Sequence, residues 1–206
     1  LFDCCGFDQT IDRFVLNPSN LVTGAGAGHA IVSSAQAGVN DGRATLTLAA
    51  TDDCETDVKF AGKLSLAWAP KVAGKSFSTC ASAARTMTMD GAIKVDGGTF
   101  TVNGGNSFPQ AKVLRIADGA TFVWASSCEG FGLAGATRIA LGDDATFEVA
   151  EGRTVPFAAS STMPSCEIDL LSTSHLVLRE DVTLTAKAML AGRDGETIWE
   201  DAAEAE

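Results

Sequence analysis

Tyrosine is absent from these 206 residues, histidine occurs twice, and proline occurs five times. Cations are scarce as well: 15 Lys and Arg stand against 26 Asp and Glu, for a formal charge of −11. Such a surface repels phosphate backbones and anionic lipid, so nucleic acid is not an expected partner. Long apolar runs are missing too. Ala120 to Ala125 and Leu176 to Leu178 fall far short of the roughly 18 residues that cross a bilayer as a helix, so no membrane insertion of this segment is expected. No basic stretch followed by an apolar one opens the chain at Leu1, which reads as a processed chain or an excised segment.

What is abundant is glycine, at 21 residues, much of it beside Asp or Asn. Those pairs are turn chemistry, because glycine accepts positive φ and Asp and Asn side chains bond their own backbone. With 46% hydrophobic residues the chain can bury a core, and short apolar stretches between such turns favour an all-β fold.

A repeat runs through the middle. Ile93 to Val102 reads IKVDGGTFTV, Leu114 to Trp124 reads LRIADGATFVW, Ile139 to Val149 reads IALGDDATFEV, and Leu176 to Ala186 reads LVLREDVTLTA. Each copy is apolar-x-apolar, an acidic or glycine turn, then Thr-apolar-x-apolar. Weaker copies lie upstream at Asp41 to Leu48, Val58 to Phe60 and Leu64 to Leu66. Period-two alternation on both sides of a turn means two short strands, each with one face buried. Two such strands cannot bury that face alone. Stacked about 4.8 Å apart, the copies would align Leu114, Ile139 and Leu176 in one interior column and Phe122, Phe147 and Leu184 in another. The expected fold is therefore an all-β, right-handed parallel β-helix, or β-solenoid. Residues 1–40 form an N-terminal cap or first irregular coil, 41–190 the solenoid repeats, and 191–206 an acidic C-terminal tail. The alternative is a β-sandwich, whose strands recur at similar intervals but need not share one turn formula.

Gly91 to Gly105 and Lys112 to Trp124 resemble the β-strand repeats in the passenger regions of bacterial autotransporters and related large surface proteins. The resemblance covers roughly residues 40 to 186. It implies a parallel β-helix outside the cell or on its surface, acting as stalk or adhesin and needing no cofactor. A carbohydrate or a host or cell-surface protein is the kind of partner it implies. Because the repeated residues maintain a fold, the resemblance transfers no catalytic or metal-binding residue. The alternative function is a carbohydrate-active β-helix, of the polysaccharide lyase or glycosidase kind, lacking its catalytic coils.

Asp143 and Asp144 resemble a paired-carboxylate glycosidase motif, but they occupy the turn of the repeat, in line with Asp118-Gly119, and are expected to form a corner. The expected outward columns are Lys94, Arg115, Ala140 and Val177, and Thr101, Val123, Glu148 and Thr185. His29 and His175 have no nucleophile placed beside them by a recognisable motif. Trp124 takes an interior place in the repeat, whereas Trp68 and Trp199, outside it, are candidates for stacking on sugars. Of the six cysteines, Cys54 with Cys80 and Cys128 with Cys166 are disulfide candidates, since each pair is expected in neighbouring connections.

Overall fold

The structure, a computed structural model, describes residues 2–13, 31–34, 39–128, 132–133, 135–136, 138–154, 156, 167–171, 173–182 and 189–192. It is all-β: no α-helix occurs among those residues, and Val39–Gly42 is a tight turn with Asn40 and Asp41 at positive φ. In chain order the first strands are β1 (Phe2–Asp3), β2 (Gln9–Ile11), β3 (Ile31–Ser34), β4 (Ala44–Leu48), β5 (Cys54–Thr56) and β6 (Lys59–Gly62). The middle holds β7 (Leu64–Trp68), β8 (Ser76–Thr79), β9 (Thr88–Met89), β10 (Ala92–Val95), β11 (Thr99–Val102) and β12 (Val113–Ile116). The last are β13 (Thr121–Trp124), β14 (Arg138–Leu141), β15 (Thr146–Val149), β16 (Glu167–Leu170), β17 (His175–Leu178) and β18 (Met189–Gly192).

These strands form three sheets, the faces of one solenoid. Sheet one has eight strands in the order β18-β16-β14-β12-β10-β7-β4-β2. Sheet two has six, β17-β15-β13-β11-β8-β5, and sheet three has four, β1-β3-β6-β9. Every pairing between strands is parallel, which excludes the antiparallel β-sandwich. Eight strands at about 4.8 Å make a stack on the order of 34 Å along the axis. Within the segment expected as cap or first coil, β1 pairs with β3 and β2 with β4, so these two short strands lie in register with the strands that follow.

The repeat maps onto this geometry strand for strand. In β12 and β14, Leu114 lies opposite Ile139 and Ile116 opposite Leu141; in β13 and β15, Phe122 lies opposite Phe147 and Trp124 opposite Val149. All eight side chains are buried, as the alternation predicts. Because parallel in-register strands bring like residues to about 4.8 Å, the repeated Phe becomes an aromatic ladder. Ring centroids are 4.8 Å apart for Phe77 and Phe100, 5.6 Å for Phe100 and Phe122, and 5.4 Å for Phe122 and Phe147.

At the corner between sheets one and two the residue before the Ala-Thr or Thr step adopts positive φ in three successive coils: Gly98 at 59°, Gly119 at 65° and Asp144 at 52°. This is why the motif alternates between Gly and Asp at that place. At Gly98 there is a second requirement, since a Cβ would come within 2.1 Å of the Lys75 carbonyl oxygen.

The last copy of the repeat departs from expectation. Leu176 does not extend the column of Leu114 and Ile139; it lies opposite Phe147 in sheet two, and Val177 faces out beside Glu148. Ile168 of β16 takes the place over Ile139, and Asp169 stands where Val177 was expected, next to Ala140. The segment LVL therefore supplies the second strand of its coil. The first strand is the four-residue EIDL, which alternates correctly but lacks the Asp-Gly corner that marks the other copies. Leu184 and Thr185 lie outside the described residues.

Candidate binding surface

Trp68 is fully buried, which overturns its reading as a sugar-stacking residue. It ends β7, whose inward positions are Leu64, Leu66 and Trp68, and it sits in the interior column between Leu48 and Val95. Its ring packs 5.8 Å from that of Phe77. The alternation of LSLAW carries this signal in the sequence, although the segment lacks the Asp-Gly turn. Trp124 is likewise fully buried, and its ring leaves no room for a side chain at Gly132. Trp199 and His29 lie outside the described residues, while His175 opens β17 opposite Thr146.

The proposed Cys54–Cys80 bridge is contradicted by register. Both thiols are free, and Cys54 pairs with Phe77, three residues before Cys80. An offset of three residues plus one strand spacing separates the two α-carbons by about 11 Å, beyond the roughly 7 Å a disulfide tolerates. Proximity of connections in the chain does not ensure the same height along the strand. Cys128 is also free, and its intended partner Cys166 lies outside the described residues. Burial pushes the Cys4 thiol up, helped by Asp3, Cys5 and Asp8; burial also raises Cys54, with the nearby Asp12 acting in the same direction. Both stay protonated at neutral pH, the opposite of an activated nucleophile.

Asp143 and Asp144 sit in a corner whose groups bond one another across coils. Asp118 Oδ1 accepts from the Asp143 amide at 3.1 Å, the Asp144 amide donates to Thr173 Oγ1 at 3.0 Å, and Thr173 Oγ1 donates to Asp143 Oδ1 at 3.3 Å. The same device recurs at other corners, where Asp8 Oδ1 accepts from the Thr45 amide and Asp53 Oδ1 from the Ser76 amide and hydroxyl. These carboxylates satisfy backbone donors that the turning chain leaves over. Among the described residues no group of three His, Cys, Asp or Glu side chains gathers to hold a metal ion.

What the fold offers to solvent is a set of ruled faces. On sheet two, Ser76, Thr99, Thr121, Thr146 and His175 form one outward rank, and Glu55, Ser78, Thr101, Val123, Glu148 and Val177 the next. On sheet one, Thr10, Thr47, Ala67, Lys94, Arg115, Ala140 and Asp169 form an outward column, in which Ala67 is buried. Charges on these faces meet across coils as opposites. Arg138 bonds Asp169 at 2.6 Å, Arg179 bonds Glu148 at 3.0 Å, Lys63 bonds Asp41 at 3.0 Å, and Arg85 bonds Asp57 at 3.0 Å. At Lys94 and Arg115, two cations face each other in register.

Compared with family models, with curated proteins and with solved structures, the chain matches none. Among the described residues no helix is long and apolar enough to cross a membrane, which leaves β-barrel insertion untouched.

Proposed function

We propose that this chain is a non-enzymatic, extracellular segment of a bacterial surface protein, a β-solenoid stalk that attaches through its ruled outer faces. The observation that carries the reading is the unbroken register of sheets one and two. Every coil spends its largest side chains on stacking against the next, from Trp68 and Phe77 through Phe147. Stacked parallel coils of this kind make a stiff spacer, and they repeat the same outward positions at a fixed interval. The resemblance of Gly91 to Gly105 and Lys112 to Trp124 to autotransporter passenger repeats supports the setting. At this corner the Asp143 and Asp144 amides donate to Asp118 and Thr173 of neighbouring coils and the Asp143 carboxylate accepts from the Thr173 hydroxyl, a turn role that favours attachment over hydrolysis. No cofactor enters this reading.

A paired assay tests it. Microspheres coated with the chain are passed over immobilised polysaccharides and extracellular matrix proteins, while the soluble chain is incubated with the same polysaccharides and new chain ends are measured. Retention without release of ends is the expected result. Release of chain ends, or retention on no surface at all, would overturn the reading.

A further inference from the structure

We infer that the outward face of sheet one at Lys94 and Arg115 is a docking strip for a linear polysaccharide of carboxylated sugars. This rests on the adhesive reading above and names its partner.

The strip begins from an arrangement that costs stability. Lys94 on β10 and Arg115 on β12 are register partners on adjacent parallel strands, so their α-carbons stand about 4.8 Å apart and both side chains point to the same side. Like charges directly opposite one another across a sheet are destabilising. Elsewhere this molecule places an anion against a cation: Arg138 with Asp169, Arg179 with Glu148, Lys63 with Asp41, and Arg85 with Asp57. Corner carboxylates also stack, Asp118 beside Asp143, but there a backbone amide donates between them. Neither Lys94 nor Arg115 forms an ion pair among the described residues. A local rule broken without compensation inside the fold points to compensation from outside it.

The surroundings define the occupant. Ala67 and Ala140 flank the pair along its own column, and Ala92 lies in the neighbouring one; Ala67 is buried, so the face is low and open on the Ala140 side. A flat, shallow strip suits an extended polymer better than a compact ligand, which needs a concave site. Arg138 lies diagonally from Arg115, about 7–8 Å away by strand geometry, but Asp169 neutralises it, so the positive charge of the strip is that of Lys94 and Arg115. The Arg115 guanidinium is a planar fork that matches a carboxylate in two parallel hydrogen bonds, and Lys94 adds a point charge one coil along. A carboxylated polysaccharide carries its charges at wide, regular intervals. Duplex nucleic acid is far more densely charged, so the net charge of −11 and Asp96 and Asp118 at the neighbouring corner oppose it more strongly than they oppose the sparser carboxylated polymer.

The test measures retention of the purified chain on immobilised polygalacturonate, on a neutral glucan of similar size, and on duplex DNA. It compares the wild type with Lys94→Gln/Arg115→Gln and with Lys71→Gln/Lys75→Gln, which removes the same charge elsewhere. The wild type should bind polygalacturonate in a salt-sensitive manner and bind neither the glucan nor DNA. The strip variant should bind at least tenfold more weakly, with its unfolding midpoint equal to or above that of the wild type because the like-charge contact is gone. The control variant should stay within twofold. Equal binding by the strip variant, an equal loss in the control, a lowered midpoint in the strip variant, or stronger binding to DNA would each overturn the strip. Wild-type retention on the neutral glucan alone, with both variants unaffected, sinks the strip and leaves the adhesive reading standing. Retention on none of the three polymers sinks the strip, and if the coated microspheres of the paired assay also hold to no surface the adhesive reading falls with it.

Discussion

Phe122 stacks on Phe147 one coil away, with ring centroids 5.4 Å apart and planes 22° from parallel. Each is fully buried, and each continues a ladder that starts at Phe77. Truncating a rung removes contacts on both sides at once, because the coils are held by their neighbours. Phe122→Ala should therefore cost about 3–5 kcal/mol, measured by urea denaturation, while Phe122→Leu should cost less. A loss below about 1 kcal/mol for the alanine variant would contradict a packed ladder.

Gly98 and Gly119 share a corner conformation but not a steric environment. At Gly98 a Cβ would meet the Lys75 carbonyl at 2.1 Å, whereas at Gly119 nothing lies within 4 Å. Gly119→Asn should be tolerated, since Asn accepts positive φ at modest cost. Gly98→Asn should lower the midpoint of thermal unfolding by several degrees more, and equal effects at the two positions would show that the close approach is not real.

The placement of Leu176 has a chemical test. Glu148 and Val177 are register partners facing outward on adjacent strands, about 4.8 Å apart between α-carbons, within the range for a disulfide. Glu148→Cys with Val177→Cys should cross-link on mild oxidation, read by non-reducing peptide mapping. Ala140→Cys with Val177→Cys should not. The opposite result would return Val177 to sheet one, where the repeat alone places it.

Stability should fall at both ends of the pH scale. The Asp53 carboxylate accepts from the Ser76 amide and hydroxyl, the backbone bond being the stronger cause, and its pKa is lowered by them. A carboxylate lowered in the folded state stabilises above its unfolded pKa and loses that contribution as pH drops through its folded one. Asp41, lowered by its bond to Lys63, acts in the same sense. Cys4 is raised by burial, so its contribution is full below the ordinary thiol pKa and is lost as pH climbs past it. Denaturation midpoints measured across pH should be lower in acid for the wild type and less acid-sensitive in Asp53→Asn. Above pH 9, the decline should be smaller in Cys4→Ala.

Alternation and the Asp/Gly-x-Thr-Phe unit were enough, without any tertiary structure, to determine the strands, the face each one buries and the stacking of three coils. Leu114 on Ile139 and Phe122 on Phe147 follow from period two and a shared corner, because a slip of one residue would turn every apolar side chain outward. The charged outward column was legible for the same reason at Lys94, Arg115 and Ala140. What only the tertiary structure decided is the assignment of strands to sheets where the corner motif fades. EIDL and LVL alternate equally well, and local pattern contains no term for the coil below. Their places are set by what each stacks on, Ile168 on Ile139 and Leu176 on Phe147. The same dependence hid the separation of Cys54 from Cys80, whereas the burial of Trp68 is legible in the alternation of LSLAW even without the Asp-Gly turn. Strand height is a property of neighbouring coils twenty or more residues away, and a parallel solenoid makes its cross-coil contacts at that distance.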